Sequence, residues 1–71
     1  MKELSPDAAR ALAFMRDGSR RLQIGRRTDL EGDPPTVAAS TANALARAGV
    51  AYIYQALDSY DRLARWVGAR Q

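Results

Sequence analysis

Apolar residues recur at helical spacing near the start of the chain. In "PDAARALAFMRD", Ala8, Ala11, Leu12 and Met15 fall on one side, with Phe14 at the margin of the stripe. Ser5 stands where an N-cap belongs, Pro6 takes the first helical position, and Asp7 adds negative charge to the first turn. Leu4, just before the cap, is set to pack against Ala9 as a staple. Gly18 closes the segment, and the spacing predicts a helix over 6–17.

The pattern then breaks. "GSRRLQIGRRTDLEGDPP", residues 18–35, holds three glycines and two prolines and reads as an arginine-rich loop. Within it, Leu22 and Ile24 lie two apart between arginines, as in a very short strand with one buried face. "TDLEG" at 28–32 has the makings of one helical turn, with Thr28 as cap and Leu30 turned inward.

Helical spacing returns in "DPPTVAASTANALARAG", which predicts a second helix over 36–48. Either Asp33 caps it with Pro34 at the first position, or Thr36 caps it directly, and Gly49 ends it. At 100° per residue, Ala38, Thr41, Ala42 and Ala48 lie within about 60° of Leu45. The opposite face collects Thr36, Ala39, Ser40, Asn43 and Arg47. Next, "VAYIYQAL" is β-branched and aromatic and favours a strand, Tyr52 and Tyr54 sharing one face. "DSYDRLARWVGARQ" has two readings. Residues 58–68 form a helix capped by Asp58 or Ser59, or residues 61–67 return as the second strand of a hairpin.

Length sets the scale. At 71 residues the chain is expected to be one small domain, residues 1–71, burying only about 60% of its unfolded surface. Such a core supplies a few kcal/mol, and pairing with a second copy is a natural supplement, so a homodimer is among the expected partners. The chain has no cysteine, "MKELSPDAAR" has no signal-like apolar run, and no uncharged stretch reaches the roughly 20 residues needed to span a bilayer. A cytoplasmic protein without membrane association is the expectation.

Charge changes the picture more. All basic residues but Lys2 are arginines, and they are unevenly spread. Residues 16–27 hold five arginines against the single acid Asp17, whereas 28–61 hold one arginine against five acids. Arginine's planar fork of donors suits phosphates and base edges. Enzyme chemistry is not expected, because with neither His nor Cys the commonest general base and the best neutral-pH nucleophile are missing. Asp29, Glu31 and Asp33 lack a calcium-loop layout and read as a solvated acidic loop, and "GRRTDLEG" lacks the GK[ST] ending of a phosphate loop. No cofactor, metal or small-molecule substrate is expected.

One further pattern is present: "TVAASTANALARAGVAYIY", with Thr41, Leu45, Gly49 and Val50 followed by the strand residues Tyr52, Ile53 and Tyr54. It resembles the recognition-helix region of small bacterial and phage winged-helix or helix-turn-helix regulators, where a Ser/Thr-rich helix leads straight into the first wing strand. A full second helix before the recognition helix is not evident here. The resemblance implies an α+β, winged-helix-like domain of two clear helices (6–17 and 36–48) plus a C-terminal hairpin or helix. An all-α three-helix domain is the alternative.

It also implies a cytoplasmic transcription regulator that binds double-stranded DNA as a dimer. In that reading Ser40, Asn43 and Arg47 reach base edges, Thr36 meets a phosphate at the helix start, and Arg20, Arg21, Arg26 and Arg27 grip the flanking backbone. The same polar residues also suit an ordinary solvated helix face. Tyr52, Tyr54, Tyr60 and Trp66 are candidates for a protein interface, as in a small phage-type inhibitor or adaptor that binds a protein partner.

Overall fold

The computed structural model describes residues 4–70. Its elements are α1 (Pro6–Arg16), β1 (Arg21–Gly25), β2 (Thr36–Ala38), α2 (Ala39–Arg47), β3 (Ala51–Leu57) and β4 (Leu63–Ala69). The strands form one mixed sheet in the order β2-β1-β4-β3, so the fold is α+β. The all-α alternative is excluded, because residues 58–68 form a turn and a strand instead of a third helix.

The local signals build α1 as expected. The Ala8 amide donates to Ser5 Oγ at 3.2 Å, and Ala8, Ala11, Leu12 and Met15 are buried. After the helix, Gly18 (φ 81°) and Ser19 (φ 55°) reverse the chain through left-handed backbone, and the Arg20 amide closes the turn on the Met15 carbonyl at 2.9 Å. That reversal delivers β1, whose Leu22 is fully buried.

The second helix begins three residues later than its sequence suggests. Thr36–Ala38 is a strand parallel to β1, in the register Gln23↔Thr36, Ile24↔Val37 and Gly25↔Ala38. Two β-branched residues and the burial of Val37 favour the extended form, and Asp29 holds it. The Thr36 amide donates to the Asp29 carbonyl, and the Asp29 amide to the Thr36 carbonyl, both at 2.9 Å. Neither Asp33 nor Thr36 caps α2; its N-cap is Ala38, which makes no side-chain capping bond. The "TDLEG" helical turn is likewise absent, because Asp29 is bridged to Thr36. Thr28 Oγ1 instead reaches ten residues ahead and accepts the Ala38 amide at 3.2 Å.

Gly49 ends α2 with φ 76° and turns the chain into β3. β3 and β4 then form a hairpin in unbroken register from Ala51↔Ala69 to Leu57↔Leu63. Asp58 holds its turn: Oδ1 accepts the amides of Tyr60 at 2.8 Å and Arg62 at 3.0 Å, and Oδ2 faces Arg62 Nε at 3.4 Å.

The alternation of side chains gives the sheet two different faces. Leu22, Val67 and Ile53 form one row across β1, β4 and β3, and both helices pack on this side through Ala8, Ala11, Met15, Ala42 and Leu45. The neighbouring row, Gln23, Trp66 and Tyr54, points away from the helices. That second face has no helical cover.

Candidate nucleic-acid interface

Topology decides where each candidate side chain stands. β2 runs parallel to β1 and feeds α2 directly, so α2 starts at the sheet end where β1 finishes. Arg26 and Arg27, which follow β1, stand at that end. β4 is antiparallel to β1, so the 58–62 turn lies there too. Helix start, arginine pair and hairpin tip thus share one end of the molecule.

Along α2, Ala42 and Leu45 are fully buried, while Ser40, Asn43 and Arg47 are exposed. These three positions lie within about 60° of one another around the axis. The helix spans nine residues, or about 13.5 Å, and an α-helix with its side chains, about 10–12 Å across, matches the ~12 Å width of a DNA major groove. Arg47 is the only charged residue in the helix, so no carboxylate shares the polar face. Thr36 lies outside the helix: its amide is taken by Asp29, and its hydroxyl donates to the Arg27 carbonyl at 3.0 Å.

The arginine block does not stay together. Arg20 and Arg21 stand at the opposite end of β1, and their side chains lie against aromatic rings. The Arg20 guanidinium is 4.9 Å from the Phe14 ring centroid and 3.9 Å from an Asp17 carboxylate oxygen. The Arg21 guanidinium stacks 3.8 Å over Trp66 on the helix-free face. Trp66 is only 4% exposed, and its Nε1–H donates to the Ala56 carbonyl at 3.1 Å. Most of the indole is thus covered by the chain itself. Tyr52 and Tyr54 share the same face, with ring centroids 5.4 Å apart, and Tyr60 projects from the hairpin tip, 74% exposed.

Asp58 carries the one resolved electrostatic shift among the described residues. Its carboxyl is held below the usual 3.8, first by the Arg62 amide, with further help from the Tyr60 amide and the Arg62 guanidinium, against an opposing effect of desolvation. Its partners identify it as a turn-forming group. Among the described residues, no three His, Cys, Asp or Glu side chains gather as metal ligands, and no helix is long and apolar enough to cross a membrane.

Sequence reasoning did not single out Thr28 as the side chain that holds Ala38, nor Arg16, Gly68 and Arg70 as neighbours of the tyrosine pair. Charge could have flagged the two arginines, but only the fold brings the ends of α1 and β4 together. No family model, curated protein or solved structure matches the chain.

Proposed function

We propose that the protein is a small DNA-binding regulator of winged-helix-like build that lays α2 in the major groove of duplex DNA. The observation that carries the reading is the outward face of α2, where Ser40, Asn43 and Arg47 are jointly exposed opposite the buried Ala42 and Leu45. Short donors and acceptors at the leading end suit a groove floor, and Arg47 has the reach for a base edge or a phosphate. Arg26 and Arg27 flank the helix start, where cations meet phosphates. The β3–β4 hairpin follows α2 directly, as in the regulators the sequence resembles, although a three-residue strand stands where a second helix would be.

Fluorescence anisotropy with duplex DNA at low salt tests the reading. Binding is expected to weaken steeply with salt, by about 0.9 log units of affinity per log unit of salt for each phosphate contacted. Arg47→Ala is expected to cost about 1–3 kcal/mol on a preferred sequence, whereas Arg26→Ala weakens all sequences alike and lowers the salt slope by about one. A folded chain that ignores duplex DNA at micromolar concentration would sink the proposal.

One observation favours a second reading, a small adaptor that binds a protein partner. β3 is an edge strand of seven residues, "AYIYQAL", with no charge and no proline to deter pairing. Leu57, Tyr60 and Leu63 stand exposed where the hairpin turns. A partner's strand added along β3 would satisfy both features.

A further inference from the structure

We infer that the helix-free face of the sheet is a second binding surface, built for the unpaired bases and phosphates of single-stranded nucleic acid. It does not depend on the groove-binding role of α2.

At the end of the sheet far from the hairpin tip lies an open cleft of about 430 Å³. Four arginines line it, each from a different piece of chain: Arg16 from the last turn of α1, Arg20 from the reversal after it, Arg21 from β1 and Arg70 beyond β4. Among the described residues no carboxylate lines it, and the nearby Asp17 forms only a long, exposed ion pair with Arg20. Four arginines around one cleft, with Asp17 the one acid described beside them, call for an anion, and their spread along the sheet end suits several phosphates better than one.

The floor supplies the second half of the recognition. Tyr52 and Tyr54 lie side by side, inclined by 31°, and Tyr52 is 46% exposed. Gly68 makes this arrangement possible. A Cβ at Gly68 would come within 3.1 Å of the Tyr52 ring, so the missing side chain lets the ring approach the backbone of β4. An exposed ring beside a cationic rim is the combination on which unstacked bases pack, whereas a duplex keeps its base faces covered. A second copy of the chain is a poor occupant, because a two-fold contact sets each patch against itself and would bring four arginines to face four.

Anisotropy with a labelled 12-nucleotide oligothymidine, and in parallel with oligouridine, tests the inference. The wild-type chain is expected to bind at least one of them, with an affinity that falls as salt rises. Tyr52→Ala is expected to weaken binding about five- to tenfold, while Tyr52→Phe, which keeps the ring, leaves it near wild type. Arg70→Gln should reduce the salt slope by about 0.7, the value of one phosphate on a single strand. Asn43→Ala and Arg47→Ala, which lie on α2 and do not line the cleft, should leave it unchanged even where they abolish duplex binding. Far-ultraviolet circular dichroism and Trp66 emission verify that each variant is folded. The inference is overturned if neither strand binds, if folded Tyr52→Ala binds like wild type, or if the α2 variants lose single strands together with duplex. It is equally overturned if the cleft variants affect only capture of an acidic protein.

Discussion

Arg21→Ala should open the lid over the only tryptophan in the chain. Trp66 is 4% exposed although it sits on the helix-free face, and the guanidinium 3.8 Å above the ring is one reason. Two effects are lost on truncation. The cation–ring attraction is worth about 0.5–1 kcal/mol here, the lower part of its range, because Arg21 itself faces solvent. If the lid covers roughly a quarter of an indole surface of about 200 Å², exposing that area costs a further ~1 kcal/mol at about 25 cal/mol/Å². Relaxation of neighbouring side chains recovers part of this, leaving about 1–2 kcal/mol. A domain of this length has roughly 4–10 kcal/mol in all, and its melting midpoint should fall by about 4–15 °C.

Thermal denaturation followed by circular dichroism gives the midpoint, and Trp66 emission with acrylamide quenching reports the lid directly. The variant should show red-shifted emission and readier quenching. Arg21→Lys keeps the charge but not the planar stack, and should fall between the two. An Arg21→Ala protein with unchanged emission, unchanged quenching and a midpoint within about a degree of wild type would show that the stack is not what covers the indole.

Two other outcomes are expected. Leu45→Ala, at a fully buried position between α2 and the sheet, should cost about 2–5 kcal/mol in urea denaturation, a large part of the stability a domain of this length has. Asp58 contributes through its charged form, and its folded pKa is depressed, so its contribution is complete above the ordinary value of 3.8 and lost as pH falls through the lower folded value. The thermal midpoints of wild type and Asp58→Asn should therefore differ at neutral pH and converge in acid below that value; a gap that persists there would refute the assignment.

The parts of the fold that were legible in sequence are those fixed by near neighbours. Ser5, Pro6 and the Ala8–Met15 stripe specify α1 within a dozen residues, and nothing distant overrides them. "DPPTVA" carries equally good helix-start signals but becomes a strand, because its partners are Asp29 and β1, which no local pattern reveals. The hairpin was one of two open readings, since "YDRLARW" has helical spacing; β1 on one side of β4 and β3 on the other decide it. The arginine block was legible as charge but not as a surface. The five-residue strand β1, about 17 Å long, begins at Arg21 and ends just before Arg26, so neighbours in sequence serve opposite ends of the molecule.

The strand order also governs when the domain can fold during synthesis. β4 is made after the other three strands, yet it occupies the middle of the sheet, with β1 on one flank and β3 on the other. A nascent chain that has reached Asp58 therefore holds three strands with an empty slot between β1 and β3, and the pairing of Arg21 with Gly68 waits for residues far along the chain. Until that slot is filled, the uncharged segment Ala51–Leu57 has no hydrogen-bonding neighbour, and this is the interval in which the chain is most exposed to misassociation.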